Sequence, residues 1–280
     1  MGRRNLVDSA WLAERLGEPH LVVVDCRFDL LDPEAGARDY AAAHIPTAHY
    51  LDLERDLSGP KGSPGGRHPL PDMEVFSRKL GALGIDERVT VVAYDAQQGC
   101  MAARLWWMLR YLGHDRAAVL DGGWQAWLAH GYPTTAELPR AVPRRFVPRP
   151  RPEMAVGMEA VRELLDVGAV CLIDSRAPER YRGEVEPLDP VAGHIPGAVN
   201  MPWTDVVDEE GKLKPAPVLR ERFAALGLDR RTPVVYCGSG VTACMNLLAM
   251  DEAGLGLPAL YVGGWSDWCS HPANPVARSE

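Results

Sequence analysis

The chain has 280 residues, of which 46% are hydrophobic and 24% charged, and its formal net charge is −8. This composition is typical of a globular protein, and the length favours two domains over one. No block of Lys and Arg outweighs the acidic surplus, so we exclude nucleic acid as the main partner.

The N-terminal residues, the hydropathy and the cysteines indicate where the protein is located and whether it binds a structural metal. The first eight residues lack the apolar run of a signal peptide, and no stretch of about 18 apolar residues could cross a bilayer. Six scattered cysteines without a Cys-x-x-Cys pair suit a reducing compartment and do not form a zinc-binding pattern. We therefore predict a cytoplasmic protein with no membrane partner and no structural metal.

Short apolar runs alternate with helical patterns along the chain. β-Branched runs predict buried strands, and apolar residues at helical spacing predict helices. The elements in chain order are a strand at 21–24, a helix at 73–83, a strand at 89–93, helices at 102–112 and 158–165, a strand at 170–173, a helix at 219–226, a strand at 234–236 and a helix at 241–253. This alternation predicts an α/β fold with mostly parallel sheets and helices on both faces.

The two halves of the chain contain the same four short sequence motifs in the same order. Residues 21–27 recur at 170–176, 44–48 at 194–198, 91–95 at 233–237 and 120–124 at 261–265. We therefore predict two pseudo-symmetric domains, 1–138 and 153–280, joined by a Pro-rich linker at 139–152.

The first copy contains an insertion. The offset between copies falls from 150 (194 minus 44) to 142 (237 minus 95). The first copy therefore has about eight extra residues between its second repeated motif, 44–48, and its third, 91–95. They fall in the Gly/Pro-rich stretch 58–71. Loops of this length in compact domains are often functional.

The third repeated motif, 91–95 and 233–237, differs between the copies at its last residue. In the second copy a strand runs into Cys237 and a Gly-rich turn that opens a helix, whereas Asp95 replaces the cysteine in the first. Consecutive backbone N–H groups at such a turn stabilise an anion, either a thiolate or the outer sulfur of a persulfide. The alternative is a buried structural cysteine beside an ordinary turn. A cysteine-dependent phosphatase is disfavoured, because Ala243 stands where an arginine would grip the phosphoryl group.

With these motifs the chain resembles the tandem-domain sulfurtransferases of the rhodanese family from about Asn5 to Trp268. The segment 237–243 resembles the active loop of 3-mercaptopyruvate sulfurtransferases, and 193–198 resembles the family's first signature. The resemblance implies two rhodanese-like domains, an inactive first one and a catalytic second one. It also implies transfer of sulfur from 3-mercaptopyruvate or thiosulfate to cyanide or a thiol acceptor through a Cys237 persulfide, with no cofactor.

The resemblance implies that Arg180 holds the anionic end of the donor. The uncharged Gly238 and Ser239 favour mercaptopyruvate, but the second arginine of the mercaptopyruvate pattern is missing from 186–190. Arg182, Arg67 and His68 are candidates to replace it, the last two on the inserted loop. The predicted site thus consists of the nucleophile Cys237 and the substrate-binding residues Arg180, Gly238, Ser239, Gly240, Val241, Thr242, His68, Arg182 and Arg67.

An alternative function stays open. A non-catalytic rhodanese-type module, or a slow persulfide relay within a sulfur pathway, would use the same Cys237. Rates with free donors would separate the two. The sequence leaves the oligomeric state and the physiological acceptor undetermined.

Overall fold

The computed structural model describes residues 4–228 and 231–279. The chain divides into two compact units. The first comprises the described residues up to Gly59, Leu70–Arg151 and Glu209–Leu213; the second comprises Pro60–Pro69, Pro152–Asp208 and the described residues from Lys214 onward. Each unit therefore includes a short segment that the sequence repeat would place in the other half.

The first unit is built on a parallel sheet. Its elements are β1 (Leu6–Val7), α1 (Ser9–Ala13), β2 (Leu21–Asp25), α2 (Ala35–Ala42), β3 (His49–Tyr50), α3 (Met73–Ala82), β4 (Thr90–Tyr94), α4 (Cys100–Tyr111), β5 (Ala117–Leu120) and α5 (Gly123–Ala129). The strand order is β1-β5-β4-β2-β3, with every pair parallel. β-Branched side chains such as Val23 and Val92, which are partners across β2 and β4, are 1% and 0% exposed and form the centre of this core.

The second unit repeats this plan. It contains 3₁₀ turns at Pro152–Met154 and Trp203–Val206, and its elements are β6 (Ala155–Val156), α6 (Met158–Asp166), β7 (Val170–Asp174), α7 (Pro178–Arg182), β8 (Val199–Asn200), α8 (Ala216–Ala224), β9 (Thr232–Tyr236), α9 (Ala243–Glu252), β10 (Ala259–Tyr261) and α10 (Gly264–Cys269). Its parallel sheet has the order β6-β10-β9-β7-β8, strand for strand the order of the first. The prediction of two pseudo-symmetric parallel-sheet α/β domains is confirmed.

Strand order also determines where a site can form. In the second unit the chain passes from β7 to the edge strand β8 and then to β9, on the other side of β7. The direction of winding therefore reverses between β7 and β9. Ligands bind beyond the carboxyl ends of parallel strands at such a reversal, which is where Cys237 follows β9.

The large aromatic residues lie in the cores of the two units. Side chains less than 2% exposed include Trp106, Trp107, Trp127, Trp265 and Trp268. The indole N–H of Trp127 donates to the carbonyl of Pro133 and that of Trp268 to Pro275, each at 2.9 Å. Trp127 and Trp268 each lie three residues after a repeated Gly-Gly-Trp motif, so these matching bonds show that the two tryptophans are held in the same way in the two units.

The Pro-rich stretch predicted as a linker, 139–152, runs along the first unit over most of its length. The amide of Arg144 donates to the carbonyl of Gly81 and that of Arg149 to Leu112, both at 2.8 Å, and Phe146 is buried. Proline favours this extended backbone, and the amides of Arg144 and Arg149 find their acceptors on the unit that the segment follows. No helix within residues 4–228 and 231–279 combines the length and apolar character needed to cross a membrane.

Candidate active site

Cys237 lies at the carboxyl end of β9 and is 2% exposed. Its carbonyl accepts a 2.8 Å hydrogen bond from the amide of Trp265. The neighbouring Gly264 has φ +61°, and a Cβ atom there would come within 2.6 Å of the Cys237 carbonyl oxygen. The turn before α10 therefore packs directly against the cysteine, and a side chain at Gly264 would displace it.

The turn after Cys237 depends on its glycines. Gly240 has φ +72°, and a Cβ atom there would lie 2.3 Å from the carbonyl oxygen of Val262. A Cβ atom at Gly238 would lie 2.8 Å from Nη2 of Arg67 and 3.6 Å from both terminal nitrogens of Arg180. These glycines thus let the turn close and let two guanidinium groups approach the residue next to the cysteine.

The equivalent turn of the first unit shows that this loop can enclose an anionic group. The carboxylate of Asp95, fully buried, accepts four backbone hydrogen bonds of 2.7–2.8 Å. The donors are the amides of Gln97, Gly99, Met101 and Ala102. Burial raises the pKa of the Asp95 carboxyl, and these four amides act in the opposite direction. Asp95 thus occupies, within its own loop, the place of an anionic ligand.

Asp95→Asn is therefore expected to destabilise the first unit by about 2–3 kcal/mol. The amide nitrogen of asparagine would face N–H donors and leave at least one of them without an acceptor. Denaturant unfolding of the variant measures the loss. Asp39→Asn, at an exposed position of α2, is the matched control, and equal stabilities of the two variants would contradict this role for Asp95.

Residues 60–69 of the inserted loop pack onto the second unit. Nδ1 of His68 lies 2.7 Å from Oγ of Ser239, and both residues are buried. The amide of Arg67 donates to Oγ of Ser266 at 3.0 Å, and that of Gly65 donates to Ser270 at the same distance. The loop is thus held along α10 and carries His68 to the cysteine turn.

Acidic residues pair with the arginines near Gly238. Glu186 accepts from Arg180 at 2.6 Å, and Asp189 lies 3.5 Å from Arg180 and also forms an ion pair with Arg67. Both carboxylates are 3% exposed. From the sequence, this stretch is distinguished only by its lack of an arginine, and the role of its acidic residues was missed. Their Glu-x-x-Asp spacing after Arg180 is the signal that could have indicated it.

A buried ion pair links the elements that surround Cys237. Asp174, at the end of β7, binds Arg176 at 2.7 Å, and the Arg176 guanidinium lies 4.8 Å from the Trp265 ring. Burial, together with the charge of Asp174, raises the pKa of the Tyr236 hydroxyl far above its usual value. The hydroxyl stays protonated and accepts from the amide of Ile195 at 3.3 Å. These contacts join β7, β9 and α10 around the cysteine.

The structure brings most of the predicted site residues together, namely Cys237, Gly238, Ser239, Gly240, Arg180, Arg67 and His68. Val241 is buried in the same turn, and Thr242 is the last residue before α9. Arg182 lies elsewhere. Its guanidinium pairs with Glu184 at 2.6 Å in a partly exposed surface ion pair. Cys244 is fully buried within α9.

Two parallel-sheet units, one with Cys237 after β9 and the other with Asp95 at the equivalent position after β4, define a tandem-domain α/β protein. The family model for the rhodanese-like domain matches this chain twice, at residues 8–130 and 158–271. The chain belongs to the rhodanese family and is a sulfurtransferase with two rhodanese-like domains.

Relatives of known name agree with this assignment. The chain is 46% identical to the probable 3-mercaptopyruvate sulfurtransferase of Pseudomonas aeruginosa, over the whole of both chains. It is 36% identical to the thiosulfate sulfurtransferase of Bos taurus, covering 97% of this chain and 94% of the relative. The crystal structure of the 3-mercaptopyruvate sulfurtransferase SseA from Escherichia coli superimposes with a TM-score of 0.82 at 33% identity, over 94% of this chain and 99% of SseA.

Proposed function

We propose that the chain takes a sulfur atom from a small anionic donor onto Cys237 and passes it to cyanide or a thiol. The observation that carries the proposal is the position of Cys237, which follows β9 at the start of a glycine turn approached by the guanidinium groups of Arg67 and Arg180. A nucleophilic sulfur thus lies beside cations that can orient an anionic donor.

The reaction has two steps. The Cys237 thiolate attacks the outer sulfur of thiosulfate, an S–S bond forms, and sulfite leaves with the electron pair. With 3-mercaptopyruvate the thiolate attacks the thiol sulfur, the carbon–sulfur bond breaks, and the pyruvate enolate takes up a proton to give pyruvate. Cyanide or a thiolate then attacks the outer sulfur of the persulfide and restores the Cys237 thiolate.

The His68 and Ser239 pair suits the proton transfers of this reaction. Ser239 lies two residues beyond Cys237 in the same turn, and its hydroxyl bonds to the imidazole at 2.7 Å. The imidazole and the hydroxyl can pass a proton between them, so the pair can deliver a proton to the leaving enolate. This role distinguishes the two donors, because sulfite needs no proton to leave.

We infer that 3-mercaptopyruvate is the preferred donor. Gly238 and Ser239 leave the turn itself uncharged, and the 46% identical relative carries the 3-mercaptopyruvate name. Arg67 supports this inference. The stretch 186–190 lacks the second arginine of the mercaptopyruvate pattern and has Asp189 instead, but Arg67 supplies a second guanidinium group beside Arg180.

Two measurements test the proposal. Initial rates of thiocyanate formation from cyanide, with each donor, are expected to favour 3-mercaptopyruvate. The intact protein incubated with donor alone is expected to gain the mass of one sulfur atom, located in the peptide that contains Cys237. Sulfur on another residue would contradict the proposal. A Cys237 persulfide combined with slow turnover of both donors would favour the persulfide relay instead.

A further inference from the structure

Asp189 lies between the two guanidinium groups that face the cysteine turn. One carboxylate oxygen pairs with Nη1 of Arg67, and the other is 3.5 Å from Nη2 of Arg180. The carboxylate thus bridges the same two cations that would bind the anionic end of a donor, and it places a negative charge beside that end.

The nearby guanidinium groups do not cancel the repulsion between Asp189 and an anionic donor, because other carboxylates share them. Glu186 already pairs with Arg180 at 2.6 Å and with Arg176 at 3.3 Å, and Asp174 pairs with Arg176 at 2.7 Å. The cluster therefore contains three guanidinium groups and three carboxylates. The carboxylate side chains are no more than 3% exposed, so water screens them poorly.

We propose that Asp189 is a specificity-determining residue that selects donors by charge, favouring monoanions over dianions. The inference rests on the proposed function and deepens it. Near neutral pH, 3-mercaptopyruvate carries one carboxylate charge, whereas thiosulfate carries two negative charges. The repulsion that a fixed charge exerts on a donor is proportional to the donor's charge, so Asp189 weakens the binding of thiosulfate about twice as much in free energy.

The test compares both donors on one preparation of each variant. The rate constant for forming the Cys237 persulfide, per concentration of donor, is measured by intact-protein mass spectrometry in the absence of acceptor. Asp189→Asn is expected to raise this constant by about threefold for 3-mercaptopyruvate and by about tenfold, close to the square, for thiosulfate. Because the ratio is taken within one sample, a partly unfolded fraction cancels.

Three further variants separate charge from structure. Asp189→Ser removes the charge without adding an amide and is expected to shift the ratio in the same direction. Asp189→Glu keeps the charge and is expected to leave the ratio near that of the wild type. Glu184→Gln removes a carboxylate that pairs with Arg182 at the surface, and is expected to leave the ratio unchanged.

The outcomes distinguish a failure of charge selection by Asp189 from a failure of the proposed function. If Cys237 forms a persulfide but Asp189→Asn changes both rate constants by the same factor, Asp189 only holds Arg67 in place and the charge-selection proposal is wrong. If the wild-type protein forms no Cys237 persulfide with either donor, the proposed function fails, and the selection proposal fails with it.

Discussion

Replacing Cys237 by serine is expected to reduce sulfur transfer by about a thousandfold or more with both donors. A serine hydroxyl cannot form the persulfide, so the transferable sulfur has nowhere to reside. Thiocyanate formation from cyanide measures the loss. Intact mass measures it independently, since the variant should gain no sulfur when incubated with donor.

The matched control is Cys171→Ser. Cys171 lies in β7, next to β9, is 1% exposed, and its thiol donates to the carbonyl of Leu226. A serine hydroxyl can make the same bond, so this variant is expected to keep wild-type rates. Substantial activity in Cys237→Ser, or loss of activity in both variants, would refute the assignment of Cys237 as the nucleophile.

Arg180→Ala is expected to lower kcat/KM for the donor by roughly 10- to 150-fold, which corresponds to the roughly 1.5–3 kcal/mol typical of a charged hydrogen bond. The guanidinium is 17% exposed and approaches Gly238, so its loss removes a cation from the donor side of the turn. Its removal also leaves Glu186 and Asp189 without one of their partners, which adds repulsion toward any anion.

The effect of Arg180→Ala should be confined to the step that uses the donor. Transfer of sulfur from a preformed persulfide to cyanide is expected to proceed at a rate much closer to that of the wild type. Arg162→Ala, which removes a half-exposed cation of α6 loosely paired with Glu159, controls for the change in net charge. Equal donor dependence in Arg180→Ala and Arg162→Ala would show that Arg180 does not bind the donor.

Much of the fold could be predicted because its signals are local. The apolar strand runs 21–24 and 170–173 correspond to β2 and β7 within one residue, and the helix predicted at 73–83 is α3 (Met73–Ala82). Period and β-branching need no tertiary information. The repeat then paired the two halves, and the contrast between Asp95 and Cys237 identified the turn that can carry a nucleophile.

The candidate site was less predictable where it depends on side-chain direction. Arg180 and Arg182 lie two residues apart on α7, so their side chains leave the helix on different faces, and only one can approach Gly238. Both arginines were predicted as site residues, because the sequence does not show how α7 packs and therefore cannot distinguish them. The cytoplasmic location stays a prediction of the sequence alone.

The sequence by itself determined the two α/β domains, the family resemblance and the position of the cysteine turn, because each depends on patterns within short contiguous segments of the chain. Only the tertiary structure decided that residues 60–69 pack with the second unit and carry His68 to Ser239, 171 residues away in the chain. It alone also placed Asp189 between Arg67 and Arg180. The physical reason is that pairings between residues so far apart in the chain come from packing, which no local pattern encodes.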